Sequence, residues 1–191
     1  MTISQALVHA RKQKEIRGRL TRESVQMLRN TILTEGKIRV EIGRDLPLPG
    51  EAEVVDDVAR ETMREIIRTL GGGGHFVRVQ CRYTRDTPNK PDKRLGMPYW
   101  ITGKLSCPGT VKGEKDPEEQ RRMHRRNGTI PLWGCDTPRQ TGDPESRWRS
   151  PKLGAVSAIS INKRVIPVEF VRPNGEKVEL FWRDAPVRQT V

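Results

Sequence analysis

Nine of the fourteen prolines fall between residues 85 and 153, at positions 88, 91, 98, 108, 117, 131, 138, 144 and 151. Proline lacks a backbone N–H and fixes φ, so a stretch punctuated this often excludes a long helix or an uninterrupted central strand. The chain therefore divides into an N-terminal part that can form long elements, an irregular middle, and a C-terminal part where periodicity returns. Within the middle, only PYWITGKLS (98–106) has the length and residue types of a strand.

Before the proline-rich stretch the spacing is helical. Ser4 can cap a first helix over about residues 5–16, which Gly18 interrupts. Thr21 can cap a second, with Val25, Leu28, Ile32 and Leu33 on one face and Gly36 as its stop. Residues 52–70 give the strongest amphipathic pattern. Val55, Val58, Ala59, Met63, Ile66, Ile67 and Leu70 recur at helical spacing, and Asp56, Asp57, Arg60, Glu61, Arg64, Glu65 and Arg68 form a polar face of alternating sign. Gly71 to Gly74 follow. A phosphate-binding loop runs from strand to helix, and here the order is helix, glycines, strand, so these glycines read as a helix terminator.

Strand patterns complete the fold. KIRVEIG (37–43) alternates as a half-buried strand does. In HFVRVQCRYT (75–84), His75, Val77, Val79, Cys81 and Tyr83 form an apolar face, and Phe76, Arg78, Gln80, Arg82 and Thr84 form the other. That parity sends Arg78 and Arg82 to solvent or to a ligand, and a plainly solvated sheet face explains it as well. GAVSAISIN (154–162), VIPVEFV (165–171) and KVELFW (177–182) read as strands, the last two joined as a hairpin through the Asn174-Gly175 turn. The expected architecture is α+β: N-terminal helices and a scaffold helix packed on a largely antiparallel sheet with a long Pro/Arg-rich loop insertion. Residues 1–36 would form a basic helical arm or hairpin. Residues 37–191 would form the α+β domain, with the basic insertion at about 85–153.

Charge carries the functional signal. The net charge is +12, from 25 Arg and 11 Lys against 24 acids, while Ala numbers only 7, so a general drift toward GC-rich codons does not account for the arginines. Residues 1–36 hold 7 Lys/Arg against 3 acids and residues 75–153 hold 17 against 9, or +4 and +8 of the total. Basic charge gathered into segments is the footprint of a phosphate-rich partner, and the guanidinium fork both grips phosphate and stacks on bases.

Three clusters stand out. DPEEQRRMHRRNG reads as a short helix capped by Asp116, with Pro117 at its first position and Asn127-Gly128 as its stop. At about 100° per residue, Arg121, Arg122, Arg125 and Arg126 fall within an arc of about 140°, a ridge able to face phosphates. Glu118 lies within helical reach of Arg121 and Arg122, so the same ridge also suits a solvated helix. ARKQKEIRGRLTR places Arg11, Lys12, Lys14, Arg17, Arg19 and Arg22 against Glu15 alone, and serves equally as a phosphate contact, a nuclear-import signal or a solvated face. In SRWRSPK, Trp148 lies between Arg147 and Arg149, side chains suited to stacking on unpaired bases. Trp100, Trp133 and Trp182 are assigned to packing.

Catalytic motifs are missing. The three histidines, His9, His75 and His124, lie outside any H-E-x-x-H or H-x-E context, and there is no G-x-S-x-G or Walker-type loop. Glu176, Glu179 and Asp184 beside Lys177 fit a polar hairpin better than a nuclease site. Cys81, Cys107 and Cys135 with His124 are widely spaced and lack a C-x-x-C knuckle, which favours buried thiols over zinc. No metal or cofactor is expected. Asn127-Gly128-Thr129 fits a glycosylation sequon but follows no secretory leader. MTISQALVHARKQK has its apolar residues before its basic ones, the reverse of such a leader, and no apolar run approaches the ~18 residues of a membrane span.

The expected function is non-enzymatic binding of RNA or a ribonucleoprotein. A compact basic α+β chain of this kind suits a viral structural or accessory protein of matrix, coat or silencing-suppressor type, inside a virion or within the cytoplasm or nucleus. One alternative is a structural assembly protein, able to form homo-oligomers, that meets acidic protein or an anionic membrane surface. Another is a DNA-binding regulator, because two helices, a Gly-containing turn and KIRVEIG have the order of a winged helix-turn-helix, with Thr21 to Thr34 as its recognition helix.

Overall fold

The computed structural model describes residues 1–42, 57–83, 96–105, 117–134 and 148–178. Among them are four α-helices, α1 (Ile3–Arg17), α2 (Arg22–Glu35), α3 (Asp57–Leu70) and α4 (Pro117–Arg126). The strands are β1 (Ile38–Glu41), β2 (Val77–Arg82), β3 (Pro98–Lys104), β4 (Leu132–Gly134), β5 (Trp148–Arg149), β6 (Val156–Ile161), β7 (Arg164–Val171) and β8 (Lys177–Val178). This is the expected α+β class. Every strand pair is antiparallel except β1 with β7.

Local chemistry sets the helix ends. α1 begins two residues earlier than expected, at Ile3: Thr2 Oγ1 accepts from the Gln5 amide at 3.2 Å, and the Gln5 side chain accepts from the Thr2 amide at 2.9 Å. This reciprocal pair satisfies two orphan donors at once and brings Ile3 into the helix, where it is buried. Thr21 caps α2 as expected, accepting from the Ser24 amide. α3 is followed by Gly71 and a 3-10 turn, Gly72–Gly74. A Cβ on Gly71 would stand 2.8 Å from Leu105, and one on Gly72 equally close to Leu20, so the glycines end the helix where chains pack too closely for a side chain. The first residues of the expected 52–70 helix lie outside the described residues.

The strand order is β1-β7-β6-β2-β3-β4-β5, with β8 also on β7. β7 changes partners halfway. Arg164 to Pro167 pair with β6, and Val168 to Val171 pair with β1. The expected hairpin of β7 and β8 is present as far as Val178, closed by Arg172 N–H to Glu176 O at 2.8 Å. Residues 179–182 lie outside the described residues.

One core joins these parts. Ile3, Ala6 and Leu7 of α1, Leu28 and Ile32 of α2, and Met63, Ile66 and Ile67 of α3 share a buried cluster with Val77, Val79, Ile101, Leu132, Ile159 and Phe170 of the sheet. Three helices thus cover one face of the sheet, and the basic N-terminal hairpin contributes directly to that core. Inside the proline-rich region, β3, β4 and β5 are short strands that extend the sheet, each within the length its prolines permit.

The β6–β7 turn yields a prediction. Asn162 and Lys163 have φ of 50° and 66° and join Ile161 to Arg164 as a two-residue turn. Turns of this hand favour Asn-Gly, because a Cβ is strained in the left-handed region. Lys163→Gly is expected to stabilise the protein by about 0.5–1 kcal/mol despite the greater freedom glycine gives the unfolded chain. A urea midpoint that stays unchanged or falls contradicts this account of the turn.

Candidate nucleic-acid interface

On the face of the sheet away from the helices, the five adjacent strands β6, β2, β3, β4 and β5 contain no aspartate or glutamate, while β7 and β1 at one end of the sheet carry Glu169 and Glu41. Directly opposed residues of an antiparallel pair share a face, so the register places Arg78 beside Thr102 and Ser160, Gln80 beside Trp100, Lys104 beside Trp133, and Trp133 beside Trp148. The expected parity of β2 holds: Val77, Val79 and Cys81 are buried, and Arg78 is exposed. Phe76, just ahead of the strand, is 54% exposed.

Cations and rings alternate across this face. The Arg78 guanidinium lies 5.0 Å from the centre of the Trp100 ring, and Lys104 Nζ lies 4.5 Å from that of Phe76. Such contacts hold long side chains across the sheet and keep ring and charge side by side. Trp100 and Trp133, assigned to packing from the sequence, are half-buried and lie outside the core cluster. Their strand parity sends them to the face opposite the core. Trp148 is also half-buried, and Arg147 and Trp182 lie outside the described residues.

A second feature lies at the end of β2 and the start of β3. β6 begins at Val156, opposite Cys81, only four residues after Lys152, so the 148–152 segment is drawn back toward this end of the sheet. Between them is a cleft of about 920 Å3 whose lining includes Arg82, Tyr83, Tyr99, Trp148, Arg149 and Lys152. The fold thus brings Arg82 to Trp148 and Arg149, joining two sequence segments that are far apart. Tyr83 and Tyr99, which the sequence did not single out, meet edge to face with centroids 6.2 Å apart.

The third feature is the seam between α3 and α4. Arg121, Arg122, Arg125 and Arg126 are all exposed. Arg122 has Glu118 at 3.8 Å and Arg125 has Glu61 at 3.7 Å, so part of the ridge is already matched by carboxylates. The N-cap Asp116 lies outside the described residues. Beneath the ridge, Arg64 departs from its expected place on a solvated polar face: its side chain is only 2% exposed. It pairs with Glu61 and donates to the carbonyls of His124 and Thr129 at 3.3 Å each. Burial holds its guanidinium below the ordinary arginine range, with Arg68, Arg125 and Arg60 acting the same way and Glu61 opposing them. The close of α4 depends on Gly128, whose φ is +59° and where a Cβ would stand 2.7 Å from the Arg60 guanidinium.

No protein-family model, no curated protein and no solved structure matches this chain. Its chemistry therefore has to be read from its own residues. Among the described residues, no helix is long and apolar enough to cross a membrane.

The remaining candidates are divided. In the N-terminal cluster, Arg11 is held by Glu65 of α3 in a two-pronged pair at 2.7 and 3.2 Å. Lys12, Lys14, Arg17, Arg19 and Arg22 are exposed along the end of α1 and the start of α2. Of the four residues weighed for zinc, Cys81 is buried in the core, where desolvation pushes its thiol up to about 12, and His124 Nδ1 is 2.9 Å from Thr129 Oγ1. Cys107 and Cys135 lie outside the described residues. Glu176 faces Arg172 at 3.2 Å as part of the hairpin turn, and Glu179 and Asp184 also lie outside.

Proposed function

We propose that this protein binds single-stranded RNA across the outer face of its sheet, without catalysing a reaction on it. The observation that carries this reading is the acid-free run of five adjacent strands on which Arg78 and Lys104 sit over Trp100 and Phe76. A phosphate chain needs cations with no competing carboxylates, and unpaired bases need rings to stack on. A duplex hides its bases and offers little to an aromatic surface of this kind. The exposed arginines of α4 supplement the face as sequence-independent phosphate contacts, and a viral structural or accessory role fits the same properties.

The test is a titration of the purified protein against single-stranded RNA, double-stranded RNA, duplex DNA and anionic liposomes. Single-stranded RNA should bind most tightly. Phe76→Ala and Trp100→Ala should each weaken that complex by about 1–3 kcal/mol while leaving duplex binding and the melting temperature near those of the parent protein. A preference for duplex DNA would favour the DNA-binding alternative, and a preference for liposomes the assembly alternative. Ring variants that bind single strands as tightly as the parent would remove the sheet face from the interface.

A further inference from the structure

We infer that the cleft between the start of β3 and residues 148–152 holds one ribonucleotide unit, as a subsite that rests on the RNA-binding reading. Pockets for ligands of this size run to roughly 300–1,000 Å3, and the cleft measures about 920 Å3. Its lining divides by chemistry. Tyr83, Tyr99 and Trp148 supply ring surface, and Ile101 and Met97 close the apolar side. Arg82, Arg149 and Lys152 supply three positive charges, and Ser150 supplies a hydroxyl able to meet a ribose or a base edge. No described lining residue is acidic.

That combination matches a flat aromatic base, a polar sugar and a phosphate in one ligand. A lipid chain would need a longer apolar wall, and inorganic phosphate alone would leave three aromatic rings without a role. Parts of the lining are also fixed before a ligand arrives. Tyr99 is braced edge-on against Tyr83, and the Arg149 guanidinium is held by the Trp148 carbonyl at 3.0 Å. Such pre-positioning lowers the ordering cost of binding.

The experiment titrates the intact protein with adenosine and uridine 5′-monophosphates, the free nucleosides and inorganic phosphate, followed by NMR shifts, and separately with single-stranded RNA. Monophosphates should shift Tyr99, Ile101 and Lys152 and bind at least about tenfold more tightly than phosphate or nucleoside alone, since each of these carries only part of the ligand. Tyr99→Ala should weaken monophosphate binding about fivefold or more, a stacking loss. Arg149→Gln should weaken it without removing a ring and provides the decisive variant if Tyr99→Ala fails to fold. Equal affinity for phosphate and monophosphate, or undiminished binding by either cleft variant that folds, would overturn the subsite. The two readings fail separately: single-strand binding that is lost in Phe76→Ala but intact in both cleft variants sinks only the subsite. Monophosphate binding without any RNA affinity sinks only the sheet-face reading.

Discussion

Raising salt from about 50 to about 200 mM is expected to weaken the complex with single-stranded RNA by roughly two to three orders of magnitude. The expectation follows from the charge and its placement. Arg78 and Lys104 on the sheet, Arg82, Arg149 and Lys152 around the cleft, and the α4 ridge together suit roughly four to eight phosphates, each contributing about −0.7 to the log–log slope on a single strand. Replacing Arg121, Arg122, Arg125 and Arg126 with Gln should reduce that slope and weaken binding evenly across RNA sequences, with the helix retained because Gln is a good helix former. The reduction should fall short of four full contacts, since Glu118 and Glu61 already stand near Arg122 and Arg125. A flat salt response would show that charge does not drive binding.

Arg64→Met is expected to destabilise the fold by about 2–4 kcal/mol. Methionine keeps most of the buried volume but leaves the carbonyls of His124 and Thr129 without the guanidinium that now meets both. The loss should therefore concentrate at the close of α4. Amide exchange over residues 124–130 should accelerate more than the global loss of stability accounts for, and Arg64→Lys should recover only part of the stability, because an ammonium lacks the planar fork that spans two acceptors. Equal melting temperatures for parent and Arg64→Met would show that the α3–α4 seam is held by other contacts.

The regular elements were largely legible because local signals govern them. The Thr21 cap, the parity of β2 and the Asn174-Gly175 turn all act within a few residues and appear where the pattern placed them, as does the apolar stripe of α3 from Ala59 to Leu70, whereas Val58, expected on that stripe, is 66% exposed. The α1 cap was missed by two residues because Ser4 competed with the reciprocal pair of Thr2 and Gln5. What a residue faces across the fold was harder to read. Arg64 belongs to a polar helical face by spacing and becomes buried only because the end of α4 lies over it. Trp100 and Trp133 carry the strand preference of any aromatic, and it is their register against Gln80 and Lys104 that puts them on the face away from the core. Arg82 stands out with Arg78 on one strand and Trp148 with Arg149 in one short segment, but the meeting of the two in one cleft depends on sheet connections that no local pattern encodes. Tyr83 and Tyr99 gave no motif at all, and an aromatic close to each end of a proline-interrupted β2–β3 connection was the one available hint.

The parallel pairing of β1 with β7 ties the beginning of the described chain to a segment made much later. Ile38 meets Val168, so during synthesis the strand that follows the N-terminal helices lacks this pairing edge until the ribosome has passed residue 171. Closing so long a loop is entropically costly and slow compared with forming the helices or the β6–β7 turn. Through that interval Ile38, Val40 and Ile42, all buried at the end, remain without their final cover, beside the exposed cations of α1 and α2. The nascent N-terminal region therefore presents its apolar strand and its basic charge together before the sheet exists. Its yield should depend on how quickly translation delivers β7, and slowing codons placed between residues 43 and 163 should favour aggregation over native protein.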